Sequence, residues 1–451
     1  MPVTDRYFVD PTNGTDSVAG VANGRDPLGL SLVNATYDHT GNGEGERHLS
    51  LTSAFASYTF TAGDTIYLVN AAGGVADGLY EIASKVDSDA ILLATDSGLT
   101  ADSTSDVDSS DGPWATTQYA LDTVTATPSD IYLMSTATET PSAEIRADTN
   151  LNSEGSPIRL IGAGSTGIAL TTGQYTISGT SLSGSEPVFR LTTTAFVLDL
   201  QRVRVTNSTH YGILTVGSVH VRLKDCIIDT HTNDGVRGDT SSCTIQALRT
   251  EVYGCSTGYA QSTTDRVRVY LSDCSIHDCT NDGVDAASIE MHRCQVYDNS
   301  GSGVLCDDNE MSMTHCTIYG NDGDGIEYRL SSDNLRMFAN NTISLNGGYG
   351  INTKGGGFRY ESLHSNNHAY NNTSGATDAA DGLLPGDNNQ TGDPLFTSVV
   401  DGSEDFTPTS GSPLLGNGTN GADIGAIPGA SGGGGGGISQ GLHTIESGIN
   451  A

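Results

Sequence analysis

Two acidic clusters hold the residues best placed to do chemistry: Asp307-Asp308-Asn309-Glu310, and Asp322-Gly323-Asp324 with Arg329 a few residues on. Paired carboxylates can divide the work of glycoside hydrolysis, one donating a proton to the leaving oxygen while the other acts in its ionised form. Carboxylates so grouped can also hold calcium for purely structural reasons. A plainer use competes with both, because Asp and Asn are favoured in tight turns, where their side chains hydrogen-bond the nearby backbone. His277, His292 and His315 fall beside strand positions and are expected to be solvated rather than ligating. Phosphate loop, zinc-protease helix and nucleophile elbow are all missing from the sequence. No catalytic residue and no metal ligand is therefore assigned, and no cofactor beyond structural calcium is expected.

What must position these groups is a repeat. A glycine recurs about every 23 residues, and a cysteine stands nine residues ahead of it in Cys226/Gly235, Cys274/Gly283, Cys294/Gly303 and Cys316/Gly325. Val203/Gly212 and Asn341/Gly350 extend the register at either end. A fixed period of this length marks one turn of a solenoid, stacked because a single unit cannot bury its own apolar face. Leucine-rich repeats have a similar period, but the leucine ladder and following helix are missing. Each unit instead reads as short alternating strands, such as Cys274-Ser-Ile-His-Asp-Cys279, followed by a turn such as Asn281-Asp-Gly283. Alternation puts Ile276, Val296 and Ile318 on the inward face with the cysteines. The fold class expected is all-β, a right-handed parallel β-helix.

Stacking accounts for the cysteines without chemistry. Asn299, Asn321 and Asn346 take the place that Cys255 and Cys279 fill in earlier coils, so thiols and amides are expected to serve as packing and hydrogen-bonding elements. Coils about 4.8 Å apart would also permit disulfides, whereas zinc would call for Cys-x-x-Cys pairs, which are missing. Free buried thiols are the expectation, and they favour assembly in a reducing compartment.

The chain has 54 acidic and 20 basic residues, a formal net charge of −34, and lysine at Lys85, Lys224 and Lys354 alone. Such a charge repels phosphate backbones and anionic membranes, so neither nucleic acid nor membrane is expected as a partner. The start, Met1-Pro-Val-Thr-Asp-Arg6, lacks the basic and apolar runs of a secretory signal, and no stretch approaches a membrane span.

Five regions are expected: an N-terminal segment at 1–55, a small β module at 56–105, the parallel β-helix at 112–370, a C-terminal cap at 371–428, and a tether with a docking peptide at 429–451. Thr100 to Asp111 is rich in Ser and Asp and reads as a linker. Trp114 to Val124 reads as an amphipathic helix capping the open end of the solenoid, with Tyr119, Leu121 and Val124 toward a core. The six glycines Gly432 to Gly437 form the tether. Beyond them Ile438, Leu442, Ile445 and Ile449 recur on one helical face and are assigned to partner docking.

Tyr7-Phe-Val-Asp-Pro-x-x-Gly-Thr-Asp16 and Gly112-Pro-Trp-Ala-Thr-Thr-Gln-Tyr-Ala-Leu121 resemble the two halves of the opening motif of the pectate-lyase-like β-helix superfamily. Asp393-Pro-Leu-Phe396, Ser412-Pro-Leu-Leu415 and Ala422-Asp-Ile-Gly-Ala426 resemble its closing motif, and the inserted β module is similar to modules of phage structural proteins. The resemblance covers most of the chain and is specific for fold, since lyases, hydrolases, adhesins and bacteriophage spikes share it. The superfamily's lyase signature of paired arginines around a proline is missing, as is the Gly-His-Gly of polygalacturonases. The function expected is therefore a non-enzymatic structural protein of a virus particle, a capsid decoration, head spike or tail fibre. Its expected partners are other virion proteins, further copies of itself as a trimer, and a host-surface glycan. The alternative is a tailspike or secreted polysaccharide lyase or hydrolase acting on acidic glycans.

Overall fold

The computed structural model describes strands between residues 5 and 107, and from residue 116 to 427 all but 124–128, 135–137, 148–157, 164–174, 193–195, 241–242, 263–266, 308–309, 330–334, 355–363 and 379–385. The chain divides into two units: Met1–Pro141 with Ser156–Ile177 and Leu200–Val203, and Ser142–Gly155 with Ser178–Asp199 and Arg204–Ala451. The docking residues Ile438, Leu442, Ile445 and Ile449, and Trp114, lie outside the described residues.

In the first unit a six-stranded antiparallel sheet runs in the order Thr65–Leu68, Gly78–Lys85, Ala90–Leu93, His48–Ser50, Leu32–Asp38, Ser103–Val107. The last of these strands corrects the reading of Thr100 to Asp111 as a linker. Pairing draws on backbone hydrogen bonds, which polar side chains do not prevent. Asp5–Val9 and Ile158–Ala163 flank Ser129–Met134 in parallel register. The helix is shorter than the expected span, Thr117–Thr123, with Ala120 and Leu121 buried. Its first turn is anchored by buried Glu139, which accepts from Thr117 N at 2.9 Å, Thr117 Oγ1 at 2.6 Å and Tyr175 Oη at 2.8 Å.

The second unit is a stack of coils with three parallel sheets. The first sheet includes Val219–Lys224, Thr244–Leu248, Arg268–Ser272, Ser288–His292, Met311–Thr314 and Leu335–Ala339. The second includes Ile227–Asp229, Glu251–Tyr253, Ser275–His277, Gln295–Tyr297, Thr317–Tyr319, Thr342–Ser344 and His368–Tyr370, and continues to Gln390–Thr391. The third has ten strands, from Ile145–Ala147 and Phe189–Leu191 through Ile213–Thr215, Val236–Gly238, Tyr259–Gln261, Val284–Ala286, Val304–Cys306 and Ile326–Tyr328 to Tyr349–Asn352 and Gly375–Thr377. Register is in phase from coil to coil, so Ile228, Val252, Ile276, Val296, Ile318 and Ile343 stack inward with no exposure.

The repeat that marked the sequence has a steric cause. A Cβ placed on Gly212, Gly235, Gly258, Gly283, Gly303 or Gly325 would come within 2.5 to 2.8 Å of the carbonyl oxygen of the corresponding glycine in the next coil. Each coil thus enters its third-sheet strand through backbone too close to its neighbour for any side chain. The corner between first and second sheets imposes a different demand: Asp225, Arg249, Asp273, Arg293, His315, Asn340 and Asn366 all take φ between 48° and 59°. Left-handed backbone is unusual for Arg, and at this corner Asp225 holds Arg249 at 2.6 Å while Asp273 holds Arg293 at 2.6 Å.

Inside the coils the asparagines form the expected ladder. Asn299 Nδ2 donates to Asn321 Oδ1 at 2.8 Å, Asn321 Nδ2 to Asn346 Oδ1 at 2.9 Å, and Asn346 Nδ2 to Asn372 Oδ1 at 2.8 Å. The ladder begins on a cysteine, since the Cys279 N–H donates to Asn299 Oδ1 at 3.0 Å. All eight cysteines are free and buried.

Part of the segment expected to form the closing cap lies along earlier coils. The hairpin of Phe396–Ser398 and Asp405–Pro408 lies against the second sheet, with Phe406 buried between Tyr297, Tyr319 and Phe396 at ring distances of 5.0, 5.3 and 5.2 Å. Farther on, Thr419 N donates to Asn340 Oδ1 at 2.8 Å and Ala426 N to Thr317 Oγ1 at 3.0 Å. The segment therefore runs back along the side of the coils.

Candidate functional site

The outward positions of the third sheet carry a concentration of charge. Inward positions on either side of each, such as Val284 and Ala286 around Asp285, are apolar and buried, so the central residue of each short strand must point out. Glu144 receives Arg146 Nε at 2.8 Å and Arg190 Nε at 2.6 Å. Two coils on, Arg237 donates through Nε to Asp239 at 2.6 Å and through Nη1 to Asp234 at 3.0 Å, and its guanidinium lies 5.2 Å from the centre of the Tyr211 ring. His210 packs edge-on to Tyr211 at 3.9 Å, and burial together with Arg190 and Arg237 depresses its pKa.

Farther along, five coils contribute to one cluster. Gln261, only 8% exposed, donates from Nε2 to Asp285 Oδ1 at 3.3 Å and Asp307 Oδ2 at 3.5 Å, and its Oε1 is buried with no partner. Arg329 Nη1 lies 3.4 Å from Asp307 Oδ1, and its Nε reaches Glu327 Oε1 at 2.5 Å; Lys354 Nζ reaches the same oxygen at 3.1 Å. Burial pushes the Asp285 carboxyl up, the charges of Asp307 and Asp282 push it further, and it titrates at about 7. Glu327 goes the other way: burial raises it, but the hydrogen bonds from Arg329 and Lys354 outweigh that and hold it below the usual carboxylate range. A neutral acid thus stands beside ion-paired carboxylates, an environment that separates acid from base.

The sequence candidates divide accordingly. Asp307 and Arg329 meet in this cluster. Asp324 is committed to the next coil, accepting from the backbone N–H of Tyr349 and the side-chain Nδ2 of Asn352 at 2.7 Å each, and Asp322 is an exposed turn residue. Glu310 lies elsewhere, beside a hollow of about 170 Å³ on the first sheet with Tyr270, Glu290 and Ser312, while Asp308 is outside the described residues. Among the described residues no group of three or more His, Cys, Asp or Glu side chains is placed to hold a metal ion. The histidines are not solvated as expected. His277 is sandwiched between Tyr253 at 5.1 Å and Tyr297 at 4.7 Å with 12% of its side chain exposed, because flat rings in phase on successive strands stack. His292 and His315 pack against one another at 5.7 Å.

A family model described as the right handed beta helix region matches residues 152–337 and 272–390. No curated protein matches the chain. Among solved structures, it is similar to the pectate lyase Pel9A, at 14% identity and a TM-score of 0.44 over 70% of this chain and 92% of that one. The A-module of the Azotobacter vinelandii mannuronan C-5 epimerase AlgE4 is similar at 15% identity and a TM-score of 0.29, over 55% of this chain and 64% of that one. The AlgE6 A-module of the same organism follows at 14% identity and a TM-score of 0.22, over 58% and 89%.

Proposed function

The chain belongs to the right handed beta helix family, whose model spans more than half of its length, and we propose that it acts on glycans with the outward face of its third sheet. The observation that carries this reading is the cluster of Asp285, Gln261, Asp307 and Arg329 on that face, in which burial and the charges of Asp307 and Asp282 push the Asp285 carboxyl up to about 7. In this role Asp285 donates its proton to the glycosidic oxygen as the bond to the sugar carbon breaks. Asp307, ion-paired with Arg329 and tied to Asp285 through Gln261, takes the proton of the attacking water.

The test is release of reducing ends from a panel of polysaccharides by the full chain and by Asp285→Asn. Activity is expected to fall above about pH 7 as the donor loses its proton, and Asp285→Asn is expected to lose at least a hundredfold. Undiminished cleavage by Asp285→Asn would sink the assignment.

A second reading has one observation in its favour: eight free, buried thiols suit assembly in a reducing compartment. Here the chain is a structural protein of a virus particle, oligomeric and held by the tail residues Ile438, Leu442, Ile445 and Ile449. Native mass and particle co-sedimentation of the full chain, compared with a version ending at Ala430, test it. A soluble monomer in both cases counts against a particle role.

A further inference from the structure

The hairpin that lies on the second sheet is held there by rings and opposed by charge. Phe406 is 1% exposed between Tyr297 and Tyr319, and Phe396 packs edge-on to Tyr319 at 5.7 Å. Around this apolar plug stand four carboxylates. Asp278 and Asp298 come from successive coils, and Asp401 and Glu404 from the loop joining the two strands of the hairpin. Asp278 is bound to the His277 ring at 2.8 Å and Glu404 Oε1 accepts from Gly402 N at 2.9 Å, but among the described residues no lysine or arginine pairs with any of the four.

Asp298 bears the cost of that arrangement. Burial pushes its carboxyl up, the charges of Glu404, Asp278 and Asp401 push it further, His277 pulls it back, and it titrates at about 6. Tyr319 faces it from the following coil. The remaining acids of the segment turn elsewhere, Asp393 Oδ1 accepting from Leu395 N and Asp405 Oδ1 from Thr407 N. Burial lowers the pKa of His277, but its bonds to Glu251 and Asp278 outweigh that and raise it, so a cation facing Asp298 is also lost as pH rises. We propose that the hairpin Phe396–Pro408 is a pH-operated strap, seated on Tyr297 and Tyr319 while Asp298 holds a proton and lifting from the coils when Asp298, Asp278, Asp401 and Glu404 are all ionised. Lifting returns Asp298 to water and parts it from Glu404 and Asp401, so the lifted state gives up the proton more readily and rising pH favours it. A carboxyl that ionises near 6 under the hairpin and at about 4 in water links seating to pH by at most about a hundredfold. Asp278 stays beside Asp298 in both states, which brings the expected effect below that ceiling. Loss of the His277 charge acts in the same direction, because it removes a cation from the seated cluster. Lifting uncovers Tyr297 and Tyr319, the continuation of the ring stack of Tyr253 and His277.

Amide hydrogen exchange of the full chain reads the seating directly, because a two-stranded hairpin lifted from its support is marginally stable in water. It is measured in chelator-treated buffer of constant ionic strength and corrected for the intrinsic pH dependence of exchange. Protection of peptides spanning 396–408 is expected to fall about tenfold or more between pH 5 and pH 8, while that of Thr244–Leu248 on the first sheet holds. Asp298→Asn should keep the hairpin at its pH 5 protection throughout, and Glu404→Gln should reduce the fall. Phe406→Ala, which removes the plug, should expose the hairpin at both pH values and so mark the lifted state. Equal protection of the hairpin at pH 5 and pH 8, or an undiminished fall in Asp298→Asn, would overturn the strap. A fall shared by Thr244–Leu248 would belong to the whole stack and would overturn it too.

Discussion

Asp285 illustrates what a single residue gains from its coil. A carboxyl whose folded pKa of about 7 lies above its unfolded value near 4 keeps a proton in the folded state that the unfolded state has released. Its presence therefore costs nothing below about pH 4 and destabilises the fold progressively as pH rises toward 7. Asp285→Asn removes that charge, so the variant is expected to melt higher than the parent at pH 8 and alike at pH 4. Thermal melts at the two values check this, and a variant less stable at pH 8 would show the carboxylate to be favourably held. Asp307 and Arg329 were legible in the sequence as chemistry-bearing residues; Asp285 and Gln261 were not. Asp285 lies 24 residues from Gln261 and Asp307 lies 22 from Arg329, each on a different coil, so proximity in sequence pointed instead to Asp322 and Asp324. A usable signal did exist, since Asp285 is the outward residue between the inward Val284 and Ala286 in a strand placed by Gly283.

At the scale of the coil, the glycine period, the inward aliphatics and the exchange of cysteine for asparagine were all readable, because each answers to a steric or hydrogen-bonding demand that recurs unchanged in every turn. The left-handed corner was not. Arg249 and Arg293 occupy it, and nothing in that residue type announces positive φ. The ladder makes a sharp prediction. Asn321→Ala leaves the buried Asn299 N without its acceptor and takes one of two partners from Asn299 Nδ2, which keeps the Ile276 carbonyl, and from Asn346 Oδ1, which keeps the backbone N–H of residue 321. A loss of about 3 kcal/mol or more is expected, measurable as a shift of the urea midpoint. A loss under about 0.5 kcal/mol, within the range of an ordinary surface substitution, would mean the amides contribute packing alone.

For the whole molecule, the buried thiols give a direct probe of integrity. Burial pushes Cys243 up to about 11 and Cys279 to about 12, and it raises Cys274 and Cys294 as well. The folded chain is therefore expected to be silent to a thiol reagent at pH 8 and to react at all eight cysteines in denaturant. Prompt labelling of one or two thiols without denaturant would locate coils that open on their own. The solenoid architecture was legible at this scale, but the course of its last segment was not: the motif Asp393-Pro-Leu-Phe396 looks like the end of a fold, whereas Phe406 settles into a slot made by Tyr297 and Tyr319, more than 80 residues earlier in the chain.

The glycine-to-carbonyl contact repeats with the same geometry from Gly212 to Gly325, so one coil is interchangeable with the next as far as packing is concerned. A gene encoding such a chain can gain or lose a whole turn by duplication or excision without a new junction having to be solved. Each such event slides every residue beyond it by a single rung, about 4.8 Å, changing which outward residues stand side by side. The fold would absorb the edit, and the spacing presented to a ligand would not. Length polymorphism in whole coils is thus a route by which a lineage of these chains would acquire new ligand preferences while its core stays unaltered.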